Sequence, residues 1–313
     1  MDARFAVSVM MVLPGGAPLH ASAQGSDEGQ LRRISYVSHL DRTERDFFLY
    51  LPRGYGRDGS RKWPVLLFLH GDGERGDGKE DLDYVLKNGP LYEAWIQKKD
   101  LPFLIICPQL AMFGKDKPGG PPYLVGRNRS EIPRRLAEGV PAHNTDAAKQ
   151  SPMAGAVPAE VSQFTSSPPG DGWDQVEKDV IGILDTVLAG FLADSVRVYL
   201  TGVSYGGWGT WFLASRHPDA FAAISPIAGW GPPDLMEPLA RVNMPVWAFS
   251  GGKDDVVETK YFFIGLNRLI ALGATNVRFT THQDMWHDVW NRVYGGKDLY
   301  DWFLGFRRSS WRV

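Results

Sequence analysis

The chain has 313 residues, 43% of them hydrophobic and 22% charged, proportions that exclude a disordered polar chain and a multi-span membrane protein. A formal net charge of −2 without a basic stripe excludes the usual signature of a nucleic-acid binder. Cys107 is the one cysteine, which excludes an internal disulfide framework and a cysteine-rich zinc site.

Residues 1–23 read as a signal peptide. Arg4 precedes the short apolar run Phe5–Leu13, which ends at Pro14-Gly15-Gly16 and is followed by the small-x-small pattern Ala21-Ser22-Ala23. Asp2 runs against the pattern, and the alternative is a plain N-terminal tail. The run falls well short of the roughly 20 residues a membrane span needs. Cleavage after Ala23 would leave residues 24–313 as a secreted or periplasmic protein.

Two strands come next, Ile34–Val37 and Phe47–Leu51, joined by the polar turn His39–Arg45. Pro64–Leu69 and Phe103–Cys107 are near-continuous apolar runs, as strands buried on both faces require. Between them Asp81–Lys98 has helical spacing, interrupted at Asn88-Gly89-Pro90. Val176–Phe191 is an amphipathic helix. Val196–Leu200, Phe221–Ile227, Pro245–Ser250 and Val277–Thr280 are further strands. They alternate with helices at Tyr205–Ser215, Leu235–Val242, Val257–Leu272 and Leu299–Arg308. This alternation predicts an α/β fold in which a mostly parallel, eight-stranded sheet carries helices on both faces, with the first two strands as an antiparallel addition at one edge. Residues 111–172 break the rhythm. They are rich in proline and glycine, lack a sustained period, and read as an insertion that is either a substrate-facing flap or a structureless excursion.

The strongest chemical signal is Gly202-Val203-Ser204-Tyr205-Gly206-Gly207, set between a strand and a helix. A serine on so sharp a turn projects its hydroxyl above the sheet, and the crowding demands glycine on either side. The Tyr205 N–H would face a developing oxyanion from a helix N-terminus. A lone serine is a poor nucleophile and needs a base and an orienter. Carboxylates follow the strand Pro245–Ser250 at Asp254 and Asp255, and histidines follow the strand Val277–Thr280 at His282 and His287. His282 abuts its strand and has a plain reading as a packed or surface histidine, whereas His287 has more reach toward the serine. The turn His70-Gly71-Asp72-Gly73-Glu74-Arg75-Gly76 follows the strand Pro64–Leu69. It can supply a second oxyanion donor, the Asp72 N–H. A plain glycine-rich turn is the alternative, and against its two nucleotide-loop readings no apolar helix follows, Glu80 stands where a phosphate-binding loop has Ser or Thr, and Asp72, Glu74 and Asp77 would repel phosphate. Trp230 and Trp286 fall at the same sheet edge and are candidates for a substrate wall, while Trp208 and Trp211 read as core.

With these residues the chain resembles the α/β-hydrolase superfamily, and more narrowly secreted bacterial carboxylesterases of the prolyl-oligopeptidase-like, polyhydroxybutyrate-depolymerase and feruloyl-esterase-like group. The resemblance runs from Phe48-Leu49-Tyr50-Leu51-Pro52 through Leu67-Phe68-Leu69-His70-Gly71, Gly73-Glu74-Arg75-Gly76 and Cys107-Pro108-Gln109 to the serine elbow, Lys253-Asp254-Asp255-Val256-Val257 and His287-Asp288-Val289-Trp290. It implies Asp254 as the acid and His287 as the base. It also implies a serine esterase acting through an acyl-enzyme, with no metal and no cofactor. Esters of small molecules or polymers are the implied substrates, feruloyl or acetyl esters of polysaccharide among them. A serine peptidase, a polyester depolymerase or a silent saccharide-binding module on the same fold are the alternatives. Asp72 departs from the family, which has a small residue there; so do Tyr205, in place of a common Met, the stretch Gln283-Asp284-Met285-Trp286, and the long insertion.

Overall fold

A computed structural model describes residues 27–137 and 172–308. The expected signal segment, His20, His143 and the later part of the insertion lie outside the described residues.

The apolar runs form one sheet of strands β1 Gln30–Val37, β2 Glu44–Leu51, β3 Trp63–Leu69, β4 Leu104–Pro108, β5 Ala193–Val203, β6 Ala223–Ile227, β7 Val246–Gly251 and β8 Val277–His282, in the order β1-β2-β4-β3-β5-β6-β7-β8. β1 and β2 pair antiparallel, and β2 pairs antiparallel with β4. From β4 onward every pairing is parallel. The strands therefore end together at one edge, and each loop that leaves β3, β5, β7 and β8 opens there.

Side-chain alternation divides the core in two. Val65, Leu67 and Leu69 of β3 face the layer of helices α3 Glu177–Gly190, α4 Tyr205–Arg216, α5 Met236–Arg241 and α6 Phe262–Ala271. Leu66 and Phe68 face the opposite layer, which holds Leu82, Val85 and Leu91 together with α7 Trp290–Gly295 and α8 Asp298–Leu304. Each strand residue from Trp63 to Leu69 is buried, which explains why the run lacks polar alternation.

Four segments differ from their spacing. The stretch 81–98 is no single helix: a 3-10 turn at Leu82–Lys87 is followed by the short α1 Gly89–Leu91 and a π-turn at Tyr92–Ile96. Gly89 has φ +82°, and a Cβ there would lie 2.2 Å from the Phe68 ring, so the chain must turn where it presses on β3. The helix expected from Val257 starts instead with a 3-10 turn at Thr259–Tyr261, and the Val256 and Val257 N–H groups bond to the Asp254 carboxylate in the loop before it. The last helix ends at Leu304 rather than Arg308, and α7 lies in what reads as the loop after β8. In the insertion, residues 111–137 hold the short α2 Pro122–Val125 and a 3-10 turn at Arg129–Glu131. No helix among the described residues is long and apolar enough to cross a membrane.

Candidate active site

β5 ends at Val203 and α4 begins at Tyr205, so Ser204 alone makes the turn. Its backbone is held at φ 52°, ψ −117°, a conformation rare for a residue with a side chain. The neighbouring glycines show why the turn is possible. A Cβ on Gly202 would meet the Gly206 carbonyl oxygen at 2.2 Å, and one on Gly206 would meet the Leu69 carbonyl oxygen at 2.0 Å. The Ser204 N–H is tied to the Ile227 carbonyl at the end of β6, 2.8 Å away.

His287 reaches this hydroxyl from the loop after β8. Its Nε2 stands 2.8 Å from Ser204 Oγ and its Nδ1 2.8 Å from Asp254 Oδ2. A carboxylate only accepts, so Nδ1 carries the proton and Nε2 is left to accept from the serine hydroxyl. The second oxygen of Asp254 accepts the N–H groups of Val256 at 2.9 Å and Val257 at 2.8 Å. Asp254 is buried while Asp255 is exposed, and this separates the two adjacent carboxylates. His282 is buried against Phe249, with rings 6.2 Å apart and nearly parallel. Burial pushes its pKa down to about 4. It packs under the site while His287 enters it.

The turn after β3 lies against Ser204: a Cβ on Gly71 would be 3.6 Å from Ser204 Cβ. His70, fully buried, accepts the Leu110 N–H at Nε2 (2.8 Å), so its Nδ1–H donates to the Gly71 carbonyl at 2.6 Å. Burial holds this imidazole neutral, with its pKa pushed down to about 3. Asp72 opens a one-turn 3-10 helix and Tyr205 opens α4, so both amides stand at the start of a helical turn, where an N–H lacks an acceptor from its own helix. The Asp72 carboxylate accepts from Arg75 Nε at 2.5 Å and from the Tyr123 hydroxyl at 2.8 Å, and Lys115 Nζ lies 3.8 Å off. Burial would raise its pKa, but Arg75, Tyr123 and Lys115 together hold it below the usual carboxylate range.

A second polar chain crosses beneath the site. Glu74 is buried, which raises its pKa, and it accepts from Asn88 Nδ2 at 2.6 Å. Asn88 Oδ1 accepts from Trp290 Nε1 at 3.2 Å, and the Trp290 ring meets the His287 ring edge-on, with centroids 5.1 Å apart. The β3 turn and the histidine loop are thereby linked. Of the proposed substrate-wall residues, Trp286 is 54% exposed beside His287, and Trp230 is half-buried against the helical layer. Trp208 and Trp211 are buried, and Trp211 Nε1 donates to the Gly229 carbonyl.

Nothing in the sequence marks Tyr123, Lys115 or Asn88 as site residues, and Trp290 stands out only as the end of the motif that begins at His287. Their partners lie far along the chain, 51 residues for Tyr123 and Asp72 and 202 for Trp290 and Asn88. Arg75 was marked only as part of a motif. An acid and a base three apart in a glycine-rich turn, Asp72 and Arg75, is the one local signal that could have exposed their pairing.

The profile of the prolyl oligopeptidase family matches residues 170–232, the span of the serine elbow and its flanks. No curated protein sequence matches the chain significantly. Among solved structures, a thermostable esterase is similar with a TM-score of 0.61 at 22% identity, over 89% of this chain and 63% of that one. This chain thus spans less than two thirds of that esterase's length. A fluorophosphonate-binding serine hydrolase from Staphylococcus aureus has a TM-score of 0.55 at 14% identity, over 88% of this chain and 99% of the other. A ferulic acid esterase from the anaerobic fungus Anaeromyces mucronatus has a TM-score of 0.52 at 15% identity, over 96% of this chain and 98% of the other.

Proposed function

Starting from the α/β-hydrolase fold that this chain has, we propose that it is a serine carboxylic ester hydrolase. The observation that carries the reading is the hydrogen-bonded line from Asp254 through His287 to Ser204, with 2.8 Å at each step. The match to the prolyl oligopeptidase family and the likeness to serine hydrolase and esterase structures support it.

In this reading His287 Nε2 takes the proton from Ser204 Oγ as the oxygen attacks the ester carbonyl carbon. Asp254 holds the imidazole in the required tautomer and faces the imidazolium that forms. The carbonyl oxygen becomes an oxyanion held by the N–H groups of Asp72 and Tyr205, the second at the positive end of α4. Collapse breaks the bond to the alcohol oxygen, which leaves with the proton from His287. Water then attacks the acyl-enzyme by the same route in reverse and frees the acid. No step calls for a metal or a cofactor.

Trp286, exposed beside His287, and Trp230 are the proposed wall against which an acyl or alcohol group packs. Aromatic faces suit feruloyl groups or sugars, so feruloyl or acetyl esters of polysaccharide are the proposed substrates. The ending Ala21-Ser22-Ala23 supports export of the remainder, where such polymers lie. Hydrolysis of p-nitrophenyl acetate, butyrate and octanoate and of methyl ferulate, with Ser204→Ala as the blank, tests the reading. Turnover that disappears in the variant supports it, and its rank order reports the acyl pocket. No turnover on any of the four overturns it for small esters.

A peptidase is the second reading, favoured by the family match alone. Cleavage of a proline p-nitroanilide peptide at a higher kcat/KM than any ester would put it first.

A further inference from the structure

We propose that Arg75 is a positioning residue that holds the two halves of the oxyanion site together and cancels the charge of Asp72. This rests on the serine hydrolase reading and goes beyond it.

Asp72 sets a problem for that reading. A carboxylate on the residue whose N–H would bind the oxyanion opposes the charge that develops there, unless it is neutralised and turned aside. Arg75 does both. Its side chain is fully buried, and its Nε donates to Asp72 Oδ1 at 2.5 Å. The same guanidinium lies over the Tyr205 ring, 5.0 Å from its centroid, within cation–π range. One planar cation therefore touches the side chains of both residues whose amides are the proposed donors, one from the β3 turn and one from the start of α4.

Arg75 is itself held from a third direction. Its Nη1 donates to the Ala111 carbonyl at 2.9 Å, the Phe113 ring lies 5.9 Å from its guanidinium, and Arg127 donates to its carbonyl oxygen. These partners all belong to the insertion. The insertion also sends Tyr123 and Lys115 to Asp72. The described part of the insertion thus fastens the oxyanion turn through Arg75 and Asp72. An arginine suits the place because its rigid fork serves the carboxylate at an edge while its flat face packs on the tyrosine.

A misplaced donor loses energy only when the oxyanion forms. Arg75→Met should therefore lower kcat about 10²-fold, the usual cost of losing one oxyanion donor, with KM changed by less than about threefold. Adding Asp72→Asn to Arg75→Met should recover part of the loss, about tenfold, because it removes the uncompensated carboxylate. A merely structural role would lower the folded fraction without such rescue. If Arg75→Met does not fold, Arg75→Lys carries the test. It keeps the charge, loses the fork and the flat face, and should cost about tenfold in kcat with native circular dichroism.

Ser204→Ala run alongside separates the two failures. Turnover that survives Ser204→Ala sinks the esterase reading and this proposal with it. Turnover lost in Ser204→Ala but unchanged in the folded Arg75 variant, or a double variant no faster than Arg75→Met, overturns the role of Arg75 alone.

Discussion

The loop after β8 and the turn after β3 meet at Ser204 from opposite sides, and they are fastened differently. The histidine loop is held from within its own corner. His287 leans on Asp254, and Asp254 is held by the N–H groups two and three residues beyond it. The Lys253 N–H donates to the Met285 carbonyl, joining the loops of β7 and β8 directly. The β3 turn takes its supports from afar: Leu110 just past β4, Ala111, Tyr123 and Arg127 in the insertion, and Asn88 at the break between the 3-10 turn and α1. Both corners hide a neutral histidine, His70 in one and His282 in the other. The two fastenings should therefore fail in different ways. On the serine hydrolase reading, damage in the histidine corner should strike proton transfer itself, whereas damage around the β3 turn should strike positioning, and residues far along the chain can cause it.

Substitutions in each corner put that contrast to the test. Ser204→Ala should remove about 10⁴- to 10⁶-fold of ester turnover, because the remaining groups have nothing to activate. Steady-state kinetics with active-site titration measures it. Within the histidine corner, Asp254→Asn should cost about 10⁴-fold in kcat, since an amide can leave the imidazole in the wrong tautomer. Asp255→Asn, one residue along and exposed, should stay within about twofold of the parent; equal losses in the two variants would remove the assignment of the orienter.

Across the β3 turn the expected effects are smaller. Asn88→Ala leaves Glu74 and Trp290 each without the amide between them, and should lower stability by about 1–3 kcal/mol. Thermal or urea unfolding reads this directly, and an unchanged midpoint would show that the buried chain carries no stability.

The smallest effect concerns acid. His70 and His282 have folded pKa values of about 3 and about 4, below the ordinary 6.5. Between those values and 6.5 the unfolded chain binds protons that the folded chain does not. Their contribution to stability is therefore complete above pH 6.5 and drains away as pH falls toward 4. Buried Glu74 and Glu93, whose pKa values are raised by burial, act in the opposite sense. The test is accordingly a difference: the fall in Tm between pH 7 and pH 5 should be smaller in His282→Gln than in the parent. An equal fall in both would show that His282 is protonated in the folded state.

The same contrast explains how much was legible in the sequence. Strands buried on both faces leave continuous apolar runs, so the strands of the sheet were visible, and so were the loops that open at their ends. Ser204 announced itself through the glycines that its turn requires. His287 and Asp254 each follow a strand, so topology alone brings them to the same edge. What burial pattern could not show was which of two adjacent aspartates turns inward, since Asp254 and Asp255 differ only in the backbone that encloses them. The broken helix at 81–98 was hidden because Leu82, Val85, Leu86 and Leu91 keep helical spacing even though Gly89 forces a turn against Phe68. Residues 111–137 showed no period because their order comes from contacts with Asp72, Arg75 and Asp81 rather than from an apolar face.

The position of that insertion has a consequence of its own. It enters between β4 and α3, in a connection and not in a strand, and its fastenings to the site are a handful of polar side chains. Residues added there leave every register of the sheet untouched and bear only on the turn beside Ser204 that Asp72 and Arg75 anchor. On the serine hydrolase reading, such a chain can retune its oxyanion turn by rewriting a single connection, while Ser204, Asp254 and His287 keep their places on the sheet.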